Sequence, residues 1–174
     1  MTEIEKRILE IHNGIKDKCV QKGIKLIQNG ELSLFSLGGR VERSFVTIYG
    51  NALQEIAACG DSVINLDKNG KKQTGIDLRT SFGEGQLKTG KTTQCGTHKK
   101  DSLRKLLDTT TRNGTNPFNA IAFGESQEYV ENDILNLHGE AFWSKIGIDY
   151  EFLVKEKQKL WRDIEREVTA EFRS

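Results

Sequence analysis

The sequence has one proline, three cysteines and no apolar run of the roughly 18 residues that a membrane-spanning helix needs. A membrane partner is therefore not expected. Cys19, Cys59 and Cys95 are an odd number of cysteines at wide spacing, which does not describe a disulfide framework. The first residues, MTEIEKRILEI, alternate charged and aliphatic side chains, unlike a secretory signal peptide. We expect reduced thiols and a cytoplasmic location.

The sequence also lacks an excess of charge of one sign, since 26 Lys and Arg stand against 25 Asp and Glu. Affinity for nucleic acid would therefore have to come from a local cluster and not from the field of the whole molecule. Such a cluster exists, because basic residues outnumber acidic ones between residues 68 and 112. The length of 174 residues fits one hydrophobic core, so we predict a single domain over 1–174.

Three segments carry apolar residues at helical spacing. The pattern predicts an N-terminal helix over 3–28 that Gly23 can interrupt, a second helix over 41–59 and a long C-terminal amphipathic helix over 150–173. Residues 29–40 are predicted to form a loop.

Glu55 is the unusual member of the second helix. At 100° per residue it lies within roughly 20° of Ile48, so its carboxylate belongs to the apolar face. A charge on that face needs a partner.

From residue 62 onward the pattern changes to short strands separated by turn signals, which predicts a small antiparallel meander. The remaining segments are a basic helix over 97–109, a short buried strand over 118–125, and a stretch over 126–149 whose pattern is ambiguous. Together these segments predict an α/β fold in which a mixed β-sheet with an antiparallel meander is flanked by helices on both faces. The catalytic core would lie at about 41–126.

Four polar residues of this region can converge. Side chains alternate along a strand, and neighbouring strands are less than about 5 Å apart, so Asp77, Gln86 and Lys88 can meet at one point that Glu55 could also reach. Cleavage of a phosphodiester needs a divalent metal, oxygen ligands to hold it, and a group that stabilises hydroxide. Two carboxylates, an amide oxygen and a lysine supply that set.

A helix bearing Glu55, a strand bearing Asp77 and a strand bearing Gln86-Leu87-Lys88 resemble the PD-(D/E)xK nucleases, especially type II restriction endonucleases. The resemblance covers about Gly50 to Leu107, with a weaker likeness in GEAFWSKIG at 139–147. It implies a restriction-endonuclease-like fold and a hydrolase that cuts double-stranded DNA with Mg²⁺.

In the roles that the resemblance implies, Asp77 bridges the catalytic metal or metals, and Gln86 offers a neutral oxygen ligand. Lys88 orients or activates the attacking water, and Glu55 holds a metal or supports the site. The sequence departs from the motif at Ile76, which stands in place of its proline, and at Gln86, which stands in place of its acid. Losing the acid weakens Mg²⁺ binding.

Glu84, two residues earlier on the same face, is one source of the missing charge, and Glu55 is the other. Basic residues after the second strand are candidates for contacts with DNA: Lys91, His98, Lys99, Lys100, Arg104 and Arg112. Because one site cuts one strand, a palindromic target implies a homodimer.

Other interpretations stay open. Residues 85–92, GQLKTGKT, match the phosphate-binding loop of ATPases and kinases, although neither an apolar strand before them nor a helix starting at Lys91 is indicated. A junction resolvase or repair nuclease of the same fold would share the catalytic residues. Asp77 and Lys88 could also be an ordinary cross-strand ion pair. Cys95 and His98 have the spacing of half a zinc site, with no second half.

Overall fold

The structure, a computed structural model, describes residues 1–29, 34–67, 75–90 and 96–173, without the side chains of 34–36 and 96–99. Five helices and six strands are described in these ranges. In chain order they are α1 (Glu3–Gln28), α2 (Leu34–Ala57), β1 (Ile64–Asn65), β2 (Leu78–Thr80), β3 (Gly83–Lys88), α3 (Gly96–Asn113), β4 (Pro117–Ile121), β5 (Gln127–Glu131), β6 (Ile134–His138), α4 (Glu140–Lys145) and α5 (Tyr150–Arg173).

The chain forms two compact units. The first, the helical unit, combines residues 1–52 with 151–174, and the second, the sheet unit, comprises residues 53–150. All six strands and all four predicted catalytic residues belong to the sheet unit. The expectation of a single domain over 1–174 stays a prediction. Within the described ranges, no helix combines the length and apolar content needed to cross a bilayer.

The N-terminal helix has the predicted bounds. A capping box starts it, in which the Thr2 hydroxyl accepts from the Glu5 main-chain N–H while the Glu5 carboxylate accepts from the Thr2 N–H. The predicted interruption at Gly23 is wrong, since α1 is continuous to Gln28. Gly23 instead permits close packing, because a Cβ at this position would lie 2.7 Å from Cγ2 of Val168.

The second helix begins at Leu34, so the predicted loop over 29–40 is wrong for residues 34–40. This part of the helix contains Gly38 and Gly39, and each glycine costs only about 1 kcal/mol in a helix. Leu37 extends the apolar face of Val41 one turn earlier and is only 1% exposed. Burial of that leucine and its neighbours outweighs the cost of the glycines.

The core of the helical unit contains buried titratable groups. Nε2 of His12 lies 3.1 Å from the Tyr49 hydroxyl, and Nδ1 of His12 has no hydrogen-bond partner among the described residues. Burial lowers the pKa of His12 to about 4 and raises the pKa of Tyr49. The Lys157 ammonium lies 5.5 Å from the centre of the Tyr49 ring, and burial lowers the pKa of this lysine.

The sheet unit contains one six-stranded mixed sheet in the order β1-β2-β3-β4-β6-β5. The first three strands form the predicted antiparallel meander. After α3, strand β4 pairs parallel to β3, and β6 pairs parallel to β4. Strand β5 is antiparallel to β6 at the edge. The α/β class and the mixed sheet are thus confirmed.

Helices cover both faces of the sheet, as predicted. α3 packs on the face that carries Gln86, to which it donates a hydrogen bond from Ser102. α4 packs on the opposite face, where Phe142 stacks on Phe118 with ring centres 6.2 Å apart. Gly85 is required beside Phe118, because a Cβ at that position would collide with the Phe118 carbonyl oxygen and ring.

The ambiguous segment 126–149 contains β5, β6 and α4. Asn132 and Asp133 form the two-residue connection between the strands, with φ of 50° and 61°. Asn and Asp tolerate the left-handed conformation that such hairpin turns need. This turn signal was present in the sequence.

Candidate functional site

Asp77, the residue before β2, approaches Lys88 at the end of β3. Nζ of Lys88 lies 3.6 Å from Oδ2 of Asp77, and the main-chain N–H of Leu87 donates to the same oxygen at 3.0 Å. The two side chains are 30% and 19% exposed, respectively, so the pair borders solvent. The paired register ends at Leu78 and Gly85, and the Asp77 main-chain N–H also donates to the Gly85 carbonyl at 2.8 Å. The structure therefore brings Asp77 and Lys88 together, and Gln86 lies two residues before Lys88 on the same face of β3.

Gln86 is buried beside this pair, with 1% of its surface exposed. Its Oε1 accepts a hydrogen bond of 2.7 Å from the Ser102 hydroxyl, whereas its Nε2 has no partner among the described residues. An amide oxygen has two lone pairs, so Oε1 can accept from Ser102 and still ligate a cation.

Glu84 lies on the same face but is fully committed to other groups. Its Oε1 is 2.6 Å from both Nε and Nη2 of Arg79, and its Oε2 accepts from Nδ2 of Asn113 at 2.7 Å and from the Thr115 hydroxyl at 3.0 Å. Burial alone would raise the pKa of Glu84, but these hydrogen bonds and the charge of Arg79 outweigh it and lower the pKa. Glu84 therefore does not replace the acid that Gln86 lacks.

Glu55 lies on the last turn of α2 and is half-buried. The position agrees with the edge of the apolar face that the helical spacing indicated. Its part in a metal site stays a prediction, as does its supply of a second negative charge.

Three of the six predicted DNA-contacting residues have described side chains, and these three lie on α3. Lys100, Arg104 and Arg112 are exposed on this helix, and Arg112 is held by hydrogen bonds to the Asp108 carbonyl and the Thr109 hydroxyl. Lys91 lies outside the described residues, as do the side chains of His98 and Lys99. Lys100 and Arg104, four residues apart, lie on one side of α3, whereas Arg112 is rotated by roughly 120° from Lys100 around the helix axis.

The geometry around residues 85–92 does not favour a phosphate-binding loop. Residues 85–88 are extended within β3, whereas such a loop wraps its main-chain N–H groups around a phosphate.

The donor set at Asp77 suits one class of metal. In the described part of the chain, no group of three or more His, Cys, Asp and Glu side chains is arranged to hold a metal ion. Mg²⁺ needs fewer protein ligands, because one or two carboxylates hold it while water and substrate phosphates complete its shell. The Asp77 carboxylate and the Gln86 amide oxygen fit such an open magnesium site and do not fit a closed zinc centre.

Two further buried amides lie beside the site and were not identified from the sequence. Asn119 on β4 pairs in register with Gln86, and Asn136 on β6 pairs in register with Asn119. Nδ2 of Asn119 donates to Oδ1 of Asn136 at 3.1 Å. The available signal was a polar residue in the middle of each of two apolar runs, FNAIA and ILNLH.

A cavity of about 340 Å³ is lined by residues of the helical unit. Leu37, Val41 and Trp161 form part of its wall, and its ionisable lining residues, Glu42 and Glu165, are both acidic. Acidic side chains repel phosphate, so this lining does not favour nucleic acid.

Comparison with known proteins gives no relative. No family model, no curated protein and no solved structure matches this chain. The geometry and chemistry of the site are therefore the basis for a proposed function.

Proposed function

We propose that this protein is a Mg²⁺-dependent endonuclease that hydrolyses phosphodiester bonds of double-stranded DNA, in the manner of a type II restriction endonuclease. One observation carries the proposal: Nζ of Lys88 on β3 lies 3.6 Å from the carboxylate of Asp77, the residue before β2, and Gln86 lies on the same face of β3 as Lys88. A restriction-endonuclease-like fold belongs to the same proposal. The antiparallel meander, the helix α3 and the parallel return to β4 support it.

The residues divide the chemistry among them. Bound Mg²⁺ would supply charge neutralisation at the scissile phosphate and a more acidic water. The Asp77 carboxylate and the Gln86 oxygen would hold the cation, with Glu55 as a third candidate ligand. The Lys88 ammonium, beside Asp77, would orient the attacking water and stabilise hydroxide as the water loses its proton.

Contacts with DNA are assigned to α3. Its exposed Lys100, Arg104 and Arg112 would bind backbone phosphates, which position the duplex without reading its sequence. The helix also contacts the catalytic strand through Ser102 and Gln86, so phosphate contacts on α3 are coupled to the position of the site. Lys91, His98 and Lys99 complete the proposed set.

A homodimer is the proposed working form. One active site cuts one strand, and two copies related by a two-fold axis match a palindromic target. Sedimentation of the protein with and without duplex DNA tests this. A monomer in both conditions would contradict the dimer but not the chemistry.

The decisive experiment is incubation of supercoiled plasmid with the purified protein and Mg²⁺. We expect Asp77→Ala and Lys88→Ala each to lower the cleavage rate at least about 100-fold, because each removes a group that contacts the reacting atoms. Lys145→Ala is the matched control. Lys145 is also a partly exposed lysine in an ion pair, with Glu128 at 2.7 Å, but it lies on α4.

The same assay separates the alternatives. Discrete fragments from linear DNA indicate sequence recognition, whereas cleavage of four-way junctions alone indicates a junction resolvase of this fold. ATP consumption that depends on Lys91 would favour a phosphate-binding loop instead. Intact DNA that is nevertheless bound would contradict catalysis and leave a DNA-binding protein.

A further inference from the structure

Three buried amides form a row across the centre of the sheet. Gln86 on β3, Asn119 on β4 and Asn136 on β6 are paired in register, so they share one face and one level. They are 1%, 3% and 6% exposed. Amides removed from water in this way need hydrogen-bond partners within the protein. The orientation of each amide therefore depends on its neighbour.

The main-chain carbonyl of Ile134 fixes which way the amides of the row are oriented. Nδ2 of Asn136 donates to the Ile134 carbonyl at 3.0 Å, and a carbonyl can only accept. The oxygen of Asn136 must therefore face Asn119, whose Nδ2 donates to it at 3.1 Å. The nitrogen of Asn119 therefore faces Asn136. The oxygen of Asn119 is the atom of this amide that can accept a hydrogen bond from another group.

Two atoms at the end of the row remain unsatisfied among the described residues. They are Oδ1 of Asn119, an acceptor, and Nε2 of Gln86, a donor. They belong to residues that face each other on adjacent strands. Because the two atoms are chemically complementary, one hydrogen bond between them, direct or through a bound water, satisfies both.

We propose that Asn119 is a positioning residue: its oxygen holds the nitrogen of Gln86 and so turns the Gln86 oxygen away from β4. Strands β2 and β4 flank β3 on opposite sides. The Gln86 oxygen then meets the Ser102 hydroxyl and keeps a lone pair for a cation shared with Asp77. This last point rests on the proposed function, whereas the orientation of the amide does not.

The row also accounts for the departure from the nuclease motif. An ionised acid at position 86 would place an oxygen with no hydrogen against the oxygen of Asn119, in a site where both side chains are buried. Glutamine supplies a donor on that side and an oxygen on the other. Position 86 is therefore an amide because its neighbour on β4 presents an acceptor.

The test is nuclear magnetic resonance of the side-chain NH₂ group of Gln86 in the metal-free protein, assigned by its disappearance in Gln86→Glu. In the wild type, we expect nuclear Overhauser contacts from these protons to the side chain of Asn119. Asn119→Ala should make their exchange with water roughly ten times faster. Contacts to the Ser102 β-protons instead would mean a reversed amide and would overturn the proposal without any variant.

Ser102→Ala is the matched control, because it removes the hydrogen bond at the other end of the same amide. We expect it to leave the exchange of the Gln86 NH₂ protons nearly unchanged. Fast exchange in Ser102→Ala, with no effect of Asn119→Ala, would overturn the proposed orientation.

Titration with Mn²⁺, followed by calorimetry, tests the consequence for the metal. We expect Asn119→Ala to weaken Mn²⁺ binding several-fold, and Gln86→Glu to lower the melting temperature without tightening Mn²⁺ binding. A Gln86→Glu variant of unchanged stability that binds Mn²⁺ ten times more tightly would contradict the role of Asn119. If the wild type neither binds Mn²⁺ nor cuts DNA, the nuclease proposal fails while the resonance data still decide the orientation.

Discussion

Arg79 holds Glu84 with two nitrogen atoms, Nε and Nη2, each 2.6 Å from the same carboxylate oxygen. The Glu84 side chain is fully buried, whereas that of Arg79 is 43% exposed. The ion pair therefore joins a partly exposed guanidinium to a buried carboxylate. The second oxygen of the Glu84 carboxylate accepts hydrogen bonds from Asn113 and Thr115. Such an arrangement stabilises the junction of β2, β3 and α3.

The first prediction concerns this ion pair. Glu84→Gln should lower the free energy of unfolding by about 2–4 kcal/mol, because it removes the charge that Arg79 neutralises and gives one buried acceptor position a donor. Urea denaturation at neutral pH measures the change. Glu128→Gln, which affects the exposed pair with Lys145, should change stability by less than about 1 kcal/mol. Equal losses in the two variants would show that the burial of Glu84 contributes nothing.

The second prediction is a loss of stability in mild acid. Burial lowers the pKa of His12 to about 4, against about 6.5 in an unfolded chain, so the unfolded state binds the proton first as the pH falls. The stability from neutral His12 is complete above the unfolded pKa and declines between the two values. Between about pH 7 and pH 5 the loss is on the order of 2 kcal/mol.

His12→Gln should remove most of this pH dependence, since glutamine does not titrate. Unfolding free energies of both proteins across the same pH range provide the measurement. A variant as sensitive to acid as the wild type would assign the effect to other groups.

The third prediction contrasts two glycines of α1. Gly14→Ala should stabilise the protein by about 0.5–1 kcal/mol, because alanine favours a helix and a Cβ at Gly14 meets nothing within 4 Å. Gly23→Ala should destabilise it by about 1–3 kcal/mol, because the added carbon would lie 2.7 Å from buried Val168. Chemical denaturation compares the two, and equal gains would exclude the close packing of Gly23.

The fourth prediction follows from the proposed role of α3. Replacing Lys100, Arg104 or Arg112 by alanine should reduce the salt dependence of duplex binding. The slope of log affinity against log salt should fall by about 0.9 for each DNA phosphate that the variant no longer neutralises. Fluorescence anisotropy at several salt concentrations measures the slope. Lys159→Ala, which removes a 60% exposed lysine on α5, should leave the slope unchanged.

Local sequence patterns were sufficient to predict those helices and strands in which each face has a single environment, either buried or exposed. The helical spacing of α5 and the alternation of Glu84, Gln86 and Lys88 along β3 both produced correct elements, since periodicity records directly which side chains are buried. The errors fell on glycines. Gly38 and Gly39 were assigned to a loop, and Gly23 to a break, because propensity was weighed without the packing that overrides it.

The sequence by itself determined the class of the fold, the meander and the set of polar residues that alternation directs to one face, because strand and helix periods are local properties of the chain. The tertiary structure alone decided what each polar group does. Glu84 became the buried partner of Arg79, and Gln86 came to lie beside Asn119. The reason is that a buried charge or amide is defined by donors and acceptors from distant segments, which only the pairing of strands and the packing of α3 bring within hydrogen-bond distance.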